Sequence, residues 1–267
     1  MAQVFLSHKT QDKKLVLETQ KYLSQCLISS WIDINDIRDG ASLTPEILRA
    51  INECKYFVAF ISHDYIRSNW CKEEIFQAKQ LSIENKITII PVLLCSKDDL
   101  HLNNVGDDVK YVIESLINRN KYINFDIYNQ NKSNNEIIET ISEHNKIKFS
   151  PINKFDIEGT YYQQIEFEIV GGTLPVDFLT SWKIDIEADF LNTKDQRNTN
   201  KPIMIGVNLL IKGKGPIWIY SYFTIQFKNI CPVYIYDLNS NRYICVYDNN
   251  RDKLNNKIGT SLIYNKK

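Results

Sequence analysis

Two strongly apolar runs, Phe57–Ile61 and Ile87–Leu94, constrain the first half of this chain more than any other feature. Neither alternates with polar residues as a half-solvated strand does, so both read as strands covered on two faces. Helical patterns interleave with them. Asp12 can cap a helix whose stripe runs through Leu15, Val16, Leu23 and Cys26, and Thr44-Pro45-Glu46 supplies a capping hydroxyl, proline at the first helical position and an early acid. Ile47, Leu48 and Ile51 continue that second helix. A third spans Trp70–Ile83, with weaker patterns at Val109–Ile117 and Glu136–Asn145. With short strands at Val4–Ser7, Ser30–Ile34 and Tyr122–Phe125, the half alternates strand and helix throughout. Such alternation predicts a flavodoxin-like, doubly wound parallel sheet. Pro91 lies inside its strand, which predicts an edge position or a local irregularity.

From Phe155 the grammar changes. Ile165, Phe167 and Ile169 alternate with Gln164, Glu166 and Glu168, and Trp182, Ile184, Ile186 and Ala188 alternate with Lys183, Asp185 and Glu187. Further strands are expected at Ile203–Ile211, Ile217–Phe227, Val233–Tyr236 and Tyr243–Tyr247. Gly171-Gly172, Gly213 to Pro216 and Asn239-Ser240-Asn241 supply turns between them. With no segment reading as a helix, the expectation is an all-β domain, a small antiparallel sandwich or barrel. The junction falls near Phe149–Asn153, giving domains at 1–148 and 154–267. The polar stretch Tyr128–Asn135 is open to a linker reading, although the helix after it is assigned to the first domain.

Composition narrows the function. At 267 residues with equal numbers of acidic and basic groups, the chain lacks the basic excess of a general nucleic-acid or anionic-membrane binder. Its longest apolar run, Ile87–Cys95, is far short of the roughly 18–20 residues a membrane span needs. A strand begins almost at the N-terminus, leaving no room for a secretory signal, so a cytoplasmic location is expected. No two of the six cysteines form a C-x-x-C pair and the four histidines are scattered, so no metal site is expected.

Chemistry concentrates in Ser68-Asn69-Trp70-Cys71-Lys72-Glu73-Glu74, read as opening a helix with two carboxylates in its first turn. Acids there are favoured by the helix dipole alone, which is the plain structural explanation. Periodicity separates them. Cys71, Ile75 and Ala78 define the buried stripe, and Glu74 flanks it with Ala78 and Leu81. Glu73 instead aligns with Gln77, Gln80 and Glu84 on a polar face. Glu74 is therefore expected to be partly desolvated, with raised proton affinity, and Glu73 to face water.

Residues 1–146 resemble the TIR domain family, particularly its prokaryotic members. Phe5-Leu6-Ser7-His8-Lys9 resembles the opening strand and first loop. Trp31 to Asp36 with Arg38-Asp39-Gly40 and Ser42-Leu43 resembles the second strand and the BB loop. Phe60-Ile61-Ser62, Ser68, Trp70, Cys71 and Glu74 resemble the third strand and the helix bearing the family's catalytic glutamate, which falls on Glu74. The family's C-terminal Phe-Trp pair is not recognisable; Tyr122–Phe125 stands in that place.

The resemblance implies cleavage of the nicotinamide–ribose bond of NAD+, bound as substrate with no cofactor, and self-association through TIR domains. The alternative reading is a non-catalytic interaction module or a mimic of host signalling. An anti-phage role in a prokaryote, with an unknown ligand or protein partner for the β-rich domain, completes the expectation. Five further positions carry two readings each. Ser7 and Lys9 contact ribose or phosphate, or are ordinary loop polarity. Trp31 stacks on a base or fills core. Arg38 binds phosphate or faces solvent, and Trp70 walls the cleft or anchors its helix. His8 and His63 are assigned no catalysis.

Overall fold

The computed structural model describes residues 3–33, 43–119, 121–145, 147–157, 159–170, 208–227, 231–248 and 258–262. The chain divides into two units, Met1–Ser24 with Ile28–His144, and Gln25–Leu27 with Asn145–Lys267.

In the first unit the chain runs β1 (Val4–Ser7), α1 (Lys13–Gln25), β2 (Ser30–Ile32), α2 (Pro45–Glu53), β3 (Tyr56–Ile61), α3 (His63–Arg67), α4 (Asn69–Ile83), β4 (Thr88–Leu93), α5 (Asp107–Arg119), β5 (Ile123–Asn124) and α6 (Gln130–Asn145). The five strands are parallel and ordered β2-β1-β3-β4-β5. This is the flavodoxin-like order, whose switch point lies between β1 and β3. Every residue of β3 is buried, as its apolar run requires. On one face of the sheet Phe5 and Phe57 pack with Ile47 and Ile51 of α2, Ile75 and Ala78 of α4, and Ile113 of α5. Thr44 caps α2 with Pro45 at its start, as its sequence predicts.

Pro91 sits in an inner strand, where it aligns with Ala59 of β3. Pairing with β5 begins only at Val92, so the missing N–H falls beyond that neighbour's reach. The stretch open to a linker reading is largely helical, since α6 starts at Gln130. Its Asn134 is buried and accepts a hydrogen bond from Thr19 of α1 at 2.8 Å. Asp12 closes a 3-10 turn ahead of α1, and its carboxylate accepts the Ser62 hydroxyl at 2.7 Å.

The second unit is β-rich, but it corrects two expectations. Its elements are β6 (Ile147–Phe149), β7 (Asn153–Ile157), β8 (Thr160–Ile169), β9 (Asn208–Lys214), α7 (Ile217–Phe227), β10 (Val233–Asp237), β11 (Arg242–Tyr247) and β12 (Ser261–Leu262). Among the described residues they form one mixed sheet, ordered β12-β11-β10-β9-β8-β6 with β7 also on β8, where purely antiparallel pairing is expected. The pairs β8–β9 and β9–β10 are parallel.

Ile217–Phe227, expected as a strand, is the helix α7. Parallel neighbours cannot be joined by a hairpin, so β9 and β10 need a crossover, and α7 provides it. Ile219, Phe223 and Phe227 recur every fourth residue and are fully buried. Phe223 packs against Phe149 and Phe167, at centroid distances of 5.9 and 5.5 Å. A segment apolar on nearly every position carries no period from which helix and strand can be told apart. The strands expected across 182–188 and 203–207 lie outside the described residues.

Candidate active site

Strand β1 ends at Ser7, on the same face as Phe5, at the C-terminal edge of the sheet and at the switch point. Helix α4 brings Glu74 to the same place. Ser68 caps that helix, accepting the Cys71 N–H at 3.4 Å, so the first turn is Asn69 to Lys72 and contains no acid. This corrects the expectation of two carboxylates in the first turn. It also removes the plain explanation, because the dipole's preference for acids fades beyond that turn. Glu74 stands in the second turn for another reason.

Phase decides where the two acids point. Cys71, Glu74, Ile75, Ala78 and Leu81 are the buried residues of α4, with Glu74 only 2% exposed. Glu73 is exposed, and its Oε2 accepts the Leu43 N–H at 3.2 Å. A buried carboxylate must be hydrogen-bonded to be tolerated. Glu74 Oε1 accepts the indole N–H of Trp70, one helical turn earlier, at 2.9 Å, and Oε2 accepts the Ser7 hydroxyl at 2.5 Å. Burial lifts the Glu74 carboxyl to about 8; the bonds from Ser7 and Trp70 oppose the lift and the charge of Asp33 adds to it. Near neutral pH both protonation states are accessible.

The other candidates fall around this carboxylate unequally. Ser7 is 1% exposed and its Oγ lies 2.9 Å from Tyr65 Oη as well as beside Glu74. Lys9 reaches the α4 cap, its Nζ 3.5 Å from Ser68 Oγ. Trp31 stacks on Phe5 at 5.0 Å, and Phe5 stacks on Phe57 at 5.2 Å, so one face of the indole belongs to the core. Arg38 lies outside the described residues, with the rest of 34–42. His8 is held neutral, its imidazole lowered to about 4 chiefly by burial. Among the described residues no three His, Cys, Asp or Glu side chains gather as a metal site would need.

Two residues of this neighbourhood are not among the sequence candidates. Tyr65 belongs to the five-residue α3, too short to show a period. Asp33 follows β2 directly, one position past Ile32, which pairs with Leu6 beside Ser7. Its alternation with Trp31, on the face that carries Phe5, was a signal for it. Among the described residues, no helix is long and apolar enough to cross a membrane.

Known proteins share this first unit. A probable 2′ cyclic ADP-D-ribose synthase of Methanobrevibacter olleyae is 29% identical over 91 residues, 34% of this chain and 26% of that protein. The Brachypodium distachyon protein BdTIR, carrying the same probable activity in its name, is 28% identical over 123 residues, 45% of this chain and 53% of its own length. The chain thus spans about half or less of these curated relatives. Among solved structures, the TIR domains of the activated Roq1 resistosome match 53% of this chain and 99% of their own at 19% identity, with a TM-score of 0.46. The TIR domain model matches residues 4–148, more than half of the sequence, and on that match the chain belongs to the TIR domain family.

Proposed function

We propose that the chain cleaves the nicotinamide–ribose bond of NAD+, with Glu74 as the catalytic carboxylate. One observation carries this reading: a carboxylate buried at the switch point of the sheet and held through both oxygens; it is the residue to which the sequence resemblance carries the family's glutamate. The names of the two synthase relatives support the same substrate.

The chemistry needs little more. When the C1′–N bond breaks, its electron pair goes to the pyridinium nitrogen and nicotinamide leaves neutral, so no general acid is required. The positive charge passes to an oxocarbenium-like ribose, which the Glu74 carboxylate stabilises. Water then attacks C1′ and loses a proton, giving ADP-ribose; attack by a nucleophile of the substrate itself gives a cyclic product. In this reading Trp70 orients the carboxylate and walls the site, Trp31 borders it, and Lys9 and Arg38 serve the phosphates. The enzyme works in the cytoplasm, in prokaryotic anti-phage defence. Its activity is governed by self-association and by a ligand or partner of the β-rich unit.

The test is nicotinamide release from NAD+ by the purified full chain across a range of protein concentrations, beside Glu74→Gln. Release that rises per molecule with concentration and vanishes in the variant is expected. Equal release by both proteins would remove Glu74 from the chemistry. No release at concentrations where light scattering shows assembly would leave a non-catalytic interaction module.

A further inference from the structure

Tyr65 is 1% exposed, yet it carries a hydroxyl. Its ring sits in the main core, where phenylalanine would fill nearly the same volume. The hydroxyl's partner is Ser7 Oγ at 2.9 Å, and Ser7 Oγ in turn lies 2.5 Å from Glu74 Oε2. Three oxygens, from α3, β1 and α4, thus stand in sequence away from water.

Each hydroxyl has one proton to donate. Against a Glu74 carboxylate, which only accepts, Ser7 must donate to Glu74 and Tyr65 must donate to Ser7. If Glu74 is protonated on Oε2, its O–H turns to Ser7 and both hydroxyls reverse. The proton belongs on Oε2, because Oε1 faces the donor N–H of Trp70. Only the carboxylate lets every O–H of the three find an acceptor within the chain; in the protonated state one O–H is left over, so the chain favours the charged form.

We propose that Tyr65 is a positioning residue for Glu74, acting through Ser7 in a three-oxygen relay that orients the carboxylate and stabilises its charged form. The proposal rests on the NAD-cleaving reading and deepens it. Ser7 then serves Glu74 and not the ribose, since its hydroxyl is committed to Tyr65 and Glu74. Ionisable groups surround the relay: Asp33 after β2, Cys71 on α4 itself, Lys9 at the α4 cap, and His8 and Asp12 nearby. Burial and Asp33 oppose ionisation of Glu74; the donors of the relay and Trp70 favour it.

The experiment is a carboxyl titration followed by NMR on the full chain labelled at its glutamate carboxyl carbons. The Glu74 signal is identified by its loss in Glu74→Gln. In Tyr65→Phe the Glu74 midpoint should move up by about half to one pH unit. The pH at which nicotinamide release at low NAD+ reaches half its maximum should move with it. Ser7→Ala should shift the midpoint further, and Ser7→Thr, which keeps the hydroxyl, should restore it. Where Tyr65→Phe fails to fold, biosynthetic 3-fluorotyrosine keeps the ring and sharpens the donor, so the midpoint should fall. A Glu74 midpoint that stays put in Tyr65→Phe, or in the fluorotyrosine protein, overturns the relay. Because the titration uses no substrate, the two readings fail separately. A moved midpoint without nicotinamide release sinks the NAD-cleaving reading, whereas release with an unmoved midpoint sinks the relay.

Discussion

In the first sheet, β3 buries six consecutive residues without a charge among them, and the buried hydroxyl of Ser7 and carboxylate of Glu74 stand at one strand's C-terminal end and the helix beside it. In the second sheet, Gln163 and Gln164 are buried in mid-strand on β8, and Gln164 donates to Tyr243 of β11 at 2.9 Å across two intervening strands. Tyrosines cluster on the Gln164 face beside Leu210 and Cys245: Tyr162 meets Tyr234 at 6.2 Å and Tyr236 meets Tyr243 at 5.1 Å. Polar burial at an edge leaves the core dry and gathers the polar atoms at one place on the sheet. Polar burial in mid-sheet makes those atoms part of what holds the strands together. The first unit should therefore tolerate polar substitutions at its site with little structural loss, and the second should not tolerate them in its sheet.

The largest effect expected is Phe223→Ala in α7. It should cost about 3–5 kcal/mol of stability, because the cavity opens against Phe149 and Phe167. Hydrogen exchange should quicken in β8–β11 and stay slow in β1–β4; equal quickening in both sheets would break the comparison.

Next is Glu74→Gln, which should lower nicotinamide release by about 10²–10³-fold. Its effect on stability has a definite sign. The folded value of about 8 stands above the ordinary 4.5, so between those pH values the unfolded chain holds fewer protons than the folded one. Wild-type stability from this group falls as pH rises through that window. The variant should match the wild type near pH 4–5 and melt higher at pH 8–9, by about 5 °C or more. A variant that melts lower at pH 9 would mean that the carboxylate holds structure, as the polar groups of the second sheet do.

Tyr243→Phe should cost about 1 kcal/mol in denaturant unfolding by leaving the Gln164 amide short of an acceptor, without changing nicotinamide release per folded molecule. The smallest change belongs to Glu73→Gln. Its exposed side chain keeps an oxygen for the Leu43 N–H, and activity should stay within about twofold of wild type.

What the sequence discloses follows the same division. The apolar runs of β3 and β4 signal the parallel sheet, and the phase of Cys71, Ile75 and Ala78 separates Glu74 from Glu73. The position of both acids along α4 differs from the sequence expectation, because Ser68 as a cap starts the first turn too early to include them. Tyr65 escaped notice because one turn of helix shows no period. In the second unit, Ile217–Phe227 was misread because its aromatic and β-branched residues favour strands locally. The need for a crossover between β9 and β10 appears only once those strands are known to be parallel neighbours.

The dry setting of Glu74 has a consequence for the substrate. With its carboxyl lifted to about 8 by burial, Glu74 largely keeps its proton at neutral pH. In the proposed NAD+ cleavage the nicotinamide ring would arrive as a cation, and a cation set beside Glu74 would stabilise the carboxylate and lower its proton affinity. Binding of that substrate would then expel a proton into solution, and the arriving ring would help to ionise the group proposed to act on it. Cation and carboxylate form a pair that exists only in the complex. On departure, neutral nicotinamide leaves nothing behind to hold that charge, and the site takes its proton back.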